Sequence, residues 1–125
     1  LMESHDQPTE SDRDQWPIFR TEGADALMLR VKNFLRFLEL RGLPAVLCFY
    51  FHPWEFVQMQ PAYHYGVSTV MPDPIIIEGC GEKACREFGL LIDRLKHMGA
   101  VFDTAAGLAE QWDRREAAEA GRTQG

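Results

Sequence analysis

The 125-residue chain is poor in cysteine, in basic charge and in long apolar runs, and each shortage excludes something. Three cysteines (Cys48, Cys80, Cys85) are an odd number and too few for a disulfide framework. Thirteen Lys and Arg against nineteen Asp and Glu leave a net charge of −6, which argues against a binder of nucleic-acid backbones. The longest nearly apolar run, 43–51, is about half of what a membrane span requires, so no span is expected. No basic flank followed by an apolar stretch opens the chain. Together with the odd cysteine count, this favours a reduced, cytoplasmic setting. At this length a closed eight-stranded α/β barrel is excluded, and one modest domain is expected.

What is present is organised. Residues 1–16 are polar and hold most of the excess acid, and they read as a mobile lead-in. An apolar patch at 16–19 can dock on the body. Residues 24–41 carry Leu27, Val31, Leu35 and Leu38 on one helical stripe, with Phe34 and Phe37 beside it. Gly42 and Pro44 mark the stop. The run 45–51, Ala-Val-Leu-Cys-Phe-Tyr-Phe, is β-favouring and apolar at every position, the pattern of a parallel strand buried on both faces. His52-Pro53 ends it.

A long excursion follows over 56–81, with extended pieces expected at 67–71 and 75–77. A second amphipathic helix over 82–98 turns Phe88, Leu91, Ile92 and Leu95 inward and stops at Gly99. A short strand over 100–103 leads to a helix over 105–116, capped by Thr104 and burying Leu108 and Trp112. Residues 117–125 read as a frayed tail. The alternation predicts an α/β fold: a partial parallel sheet with flanking helices over 17–116. Two strands cannot satisfy their own edges. The chain is therefore expected to self-associate or to belong to a longer polypeptide, an expectation that Leu rather than Met at position 1 supports.

The chemistry concentrates in Phe51-His52-Pro53-Trp54-Glu55-Phe56. An imidazole at the carboxyl end of a strand stands where α/β proteins gather their reacting groups, and it titrates near neutrality. Glu55 can orient it, and Trp54 can wall a pocket or stack on a sugar ring. A structural alternative is a capping histidine with Trp54 filling core. Other candidates are weaker. Cys48 and His52 share a strand face, but four residues of strand separate them by about 13 Å, which excludes a nucleophile–base pair. Cys80 precedes a helix whose dipole could lower its thiol pKa, but a partly buried cysteine is the favoured reading. His64 lies between Tyr63 and Tyr65 as a possible sugar-binding rim, and His97 complements the end of its helix. Gly79-Cys80-Gly81 lacks the spacing of a phosphate loop.

The His52-Pro53-Trp54-Glu55 tetrapeptide after a Phe/Tyr-rich strand resembles the C-terminal part of polysaccharide deacetylases of the NodB-homology type. The resemblance spans about residues 17–113, taking in the preceding helix with its Arg41-Gly42-Leu43-Pro44 exit and the Val101-Phe102-Asp103-Thr104 strand that leads into the last helix. It implies the last βα units of a distorted (β/α) barrel that removes acyl groups from amino sugars. It also implies a divalent, zinc-like metal held by one Asp and two His, an aspartate base and a late-strand histidine acid. Only the last has a counterpart here, His52, with Trp54 and Glu55 as substrate-binding neighbours. Tyr50 stands where the family often has Leu. The Thr-Phe-Asp-Asp strand end and the His-x-x-x-His helix are missing, and the chain contains no Asp-Asp pair. The expectation is a C-terminal segment of such a hydrolase, inactive alone and holding no metal itself. Its partners would be the parent's carbohydrate substrate and either the remainder of the parent chain or a second copy. The alternative is a non-catalytic accessory domain that binds carbohydrate or a protein through the 52–55 loop.

Overall fold

The computed structural model describes residues 17–124. The acidic lead-in expected over 1–16 lies outside the described residues, as does Gly125. Two compact units divide the chain, one running to Leu95 and the other from Lys96 onward.

In the first unit, a one-turn helix α1 (Ile18–Thr21) precedes the long helix α2 (Ala24–Leu40). The stripe expected on α2 is real. Leu27, Val31 and Leu38 are buried, Met28 joins them, and Leu35 packs against their edge. The N-terminus of α2 is capped from a distance: Ala24 N–H donates to Glu87 Oε2 at 2.8 Å, placing a carboxylate at the positive end of the dipole. Its C-terminus is a Schellman motif. Leu43 N–H donates to Leu38 O at 3.0 Å and Gly42 N–H to Glu39 O at 3.1 Å, with Gly42 left-handed at φ +63°.

After a 3₁₀ turn (Pro53–Phe56), a hairpin pairs β1 (Tyr63–Tyr65) antiparallel with β2 (Ser68–Val70). One-turn helix α3 (Pro74–Ile77), capped by the Asp73 side chain, stands where an extended piece is expected from sequence. Helix α4 (Glu82–His97) buries Ala84, Leu91 and Leu95, with Phe88 half-buried. Ile18 and Phe19 complete the core, so the apolar patch after Trp16 does dock.

The expected partial parallel sheet is not formed. Among the described residues the only sheet is the two-stranded antiparallel hairpin, and nothing resembles the βα units of a barrel. The run 45–51 joins no ladder, and neither does 100–103. The reason is visible in the burial. Leu47, Phe49 and Phe51 pack against the core, while Val46, Cys48 and Tyr50 are exposed. The run is apolar at every position, but only one of its faces meets a layer. Continuous hydrophobicity therefore overstated the number of covered faces.

The second unit contains α5 (Ala105–Thr123). Thr104 caps it as expected, its Oγ1 accepting from Gly107 N–H at 3.0 Å. Asp103 accepts from Thr104 N–H at 2.7 Å and from the Gln111 side chain at 2.6 Å. The helix runs seven residues past the expected end at 116, through the stretch read as frayed. No residue of α5 is buried. Leu108 is half-buried, whereas Trp112 is exposed and donates to Glu116 Oε1 at 3.2 Å instead of filling a core.

Candidate functional site

Four phenylalanines build the floor. Phe51 meets Phe19 edge-on at 4.9 Å between ring centroids and Phe88 at 5.0 Å, and Phe56 meets Phe88 at 5.3 Å. Such pairs contribute about 1 kcal/mol each beyond their burial. Phe51 and Phe56 bracket residues 52–55, so both ends of the tetrapeptide are pinned to α1 and α4. Between them Pro53 starts the 3₁₀ turn, where its fixed φ and missing N–H cost nothing.

The turn brings Glu55 back beneath His52. Glu55 is fully buried, and its Oε2 accepts from His52 N–H at 2.6 Å and lies 3.3 Å from His52 Nδ1. The His52 side chain keeps 28% of its surface exposed. Its ring stacks on Trp54 at 5.0 Å and meets Tyr50 edge-on at 4.6 Å. Sequence reasoning thus named three residues, His52, Trp54 and Glu55, that the fold does bring together.

It did not name the fourth. Arg20, at the end of the docked patch and fully buried, donates from Nε to Glu55 Oε1 at 2.7 Å. Its Nη1 donates to Ile75 O at 3.0 Å and also to Glu78 O. Its guanidinium lies 5.6 Å from the Trp54 ring centroid. One side chain therefore ties α1, the 52–56 turn and the end of the 56–81 excursion. Gly81 N–H adds a backbone link to Glu55 O at 2.9 Å. The available signal was an Arg next to Ile18-Phe19: a cation ending a docking apolar patch must be carried inward and needs an acid.

The remaining candidates fall elsewhere. Burial pushes the Cys80 thiol up, nearby Arg20 pulls it down, and Glu55 adds to the rise. This is the behaviour of a partly buried cysteine, the favoured reading from sequence, and is opposite to the helix-dipole alternative. Its Sγ donates to Ile76 O at 3.3 Å. His64 lies in β1, its Nδ1 3.0 Å from Thr69 Oγ1 across the hairpin, in register with Thr69. His97 ends α4 as expected.

Among the described residues no three His, Cys, Asp or Glu side chains gather as a metal-ligand set. The divalent metal that the resemblance implies therefore finds no fit in residues 17–124. The arrangement around His52 is a capping box: His52 is the N-cap of the 3₁₀ turn and the Glu55 side chain returns to its N–H, as the capping alternative raised from sequence expects. In the neutral ring, a carboxylate facing Nδ1 favours the tautomer protonated there, leaving Nε2 as the nitrogen directed away from the pair. Among the described residues no helix is long and apolar enough to cross a membrane. Comparison with protein-family models, with curated proteins and with solved structures finds no match in any of the three.

Proposed function

We propose that this chain is a C-terminal segment of a polysaccharide deacetylase-like hydrolase, in which His52 is the acid that protonates the departing amine. Supporting this reading is the buried Glu55 carboxylate set against Nδ1 of a histidine that is itself part-exposed. Hydrolysis of an N-acyl sugar adds water across the amide. As the C–N bond breaks, the nitrogen leaves with the electron pair and takes a proton. His52, charged and held by Glu55, gives that proton from Nε2 and is left neutral. Trp54 forms an apolar wall beside the imidazole on which a sugar ring can stack. The attacking water, its base and any metal are assigned to no residue of 17–124, so the segment is expected to be inactive alone. The remainder of a longer chain would complete the site.

The test is turnover of an N-acetylated glucosamine oligomer by the full polypeptide that carries this segment. His52→Ala is expected to lower turnover by roughly 10²-fold or more, the usual contribution of a general acid, with unchanged circular dichroism. Unchanged turnover refutes the acid role. If Trp54→Ala then abolishes oligomer binding, the accessory-domain reading replaces it.

A further inference from the structure

We infer that Arg20 is the positioning residue of this site: acting through Glu55, it fixes which nitrogen of His52 carries the proton. The inference rests on the proton-donor role proposed above, but it can be read from the protein without substrate.

The terminal torsion of a glutamate is soft and close to two-fold, so a carboxylate held at one oxygen can swing. Glu55 is held at both. Oε2 receives His52 N–H, while Oε1 receives Arg20 Nε–H. The plane of the guanidinium is set in turn from its far side, where Nη1 donates to the carbonyls of Ile75 and Glu78. The Trp54 ring adds a third restraint. A planar fork with donors at fixed angles can satisfy all of these at once, whereas a lysine ammonium is a point charge without that geometry. Oε2 is thereby left facing Nδ1, which keeps the neutral ring protonated on Nδ1 and makes Nε2 the transfer atom.

Two other outcomes of the same packing agree. The guanidinium and the carboxylate are both fully buried while the imidazole is not, so the charge pair lies behind the ring and the part-exposed ring lies in front. Cys80 lies close to the same pair, and burial holds its thiol above the ordinary range.

The experiment uses the purified 125-residue chain with ¹⁵N-labelled histidine and arginine. In the wild type, the long-range spectrum of His52 at neutral ring charge is expected to show one tautomer, protonated on Nδ1. Arg20→Lys, which keeps the buried charge and loses the fork, is expected to lose that single tautomer and give a mixture, with helix content unchanged. A folded R20K chain in which His52 stays wholly Nδ1-protonated overturns the proposal. Should R20K not fold, the wild type decides alone. Its Arg20 Nε–H resonance is expected to move with the same midpoint as His52 on titration, and a flat Arg20 signal overturns the coupling. These readings are independent of turnover. If His52→Ala leaves hydrolysis unchanged, the acid role falls while the positioning by Arg20 stands.

Discussion

Placing a methyl group on Gly79 probes the closest approach in the site. Gly79 is left-handed at φ +71°, and a Cβ built on it overlaps the carbonyl oxygen of Arg20 and lies 2.9 Å from its carbonyl carbon. Ordinary contact begins at about 3.4 Å, and the obstacle is backbone, which cannot swing aside as a side-chain end can. Gly42 is the control. It is left-handed at φ +63°, yet nothing lies within 4 Å of its added Cβ. Gly42→Ala should therefore show only the cost of a left-handed alanine, about 1 kcal/mol. Gly79→Ala should show that cost plus overpacking of about 2 kcal/mol, as α1 and the 78–81 turn are forced apart. For a domain of this size that difference separates the two melting temperatures by roughly 10 °C. Thermal and urea denaturation followed by circular dichroism measure both. The steric argument fails if the two variants are equally destabilised. In Gly79→Ala the pairing of Arg20 with Glu55 should also loosen, so the single tautomer of His52 is expected to broaden toward a mixture even below the melting transition.

Glu55→Gln removes one partner of a fully buried pair and leaves the Arg20 charge without its carboxylate. A loss of about 3–5 kcal/mol in urea denaturation is expected, and a loss below 1 kcal/mol would show that the pair is not dry. The thiols give a pH-dependent readout. Because burial raises the Cys80 pKa while Cys48 and Cys85 lie exposed, iodoacetamide should label those two first at about pH 8. The folded state holds the Cys80 proton more tightly than the unfolded chain, so stability should fall as pH rises past the ordinary thiol range. Equal labelling rates for all three cysteines would contradict the burial.

Helices were legible because their signals are local. The 27-31-35-38 stripe and the Gly42 stop state one period and one handedness, and both appear in α2 and its Schellman motif. The tetrapeptide was legible for a similar reason: Pro53 forces a turn, and a turn of that length brings Glu55 back to His52. The sheet was misread because ladders are not local. Residues 45–51 have the composition of a doubly covered strand, but coverage depends on layers that composition does not state. Residues 75–77 show the same limit in reverse, since three isoleucines favour a strand until Asp73 caps a helix over them. Arg20 escaped notice because its partners lie 35, 55 and 58 residues away, beyond any spacing rule.

The missing ladder changes what must hold the imidazole. In a parallel sheet, backbone hydrogen bonds on both sides would fix the end of the run that carries His52, and a side-chain lock would be redundant. Here the run has no ladder, and Tyr50, two residues before His52, is exposed. Beyond the one backbone bond from Glu55 N–H to His52 O at 3.1 Å, rigidity at residue 52 comes from side chains. The phenylalanine floor fixes where Phe51 and Phe56 sit, but edge-to-face rings are tolerant of small rotations and do not orient a ring nitrogen. The Arg20–Glu55 pair does, because each of its bonds has a direction. A buried ion pair is weak support for stability, since well-packed apolar residues of similar volume often do as well. What apolar residues cannot supply is a carboxylate fixed against Nδ1 of His52, and that is the property the proposed proton-donor role requires.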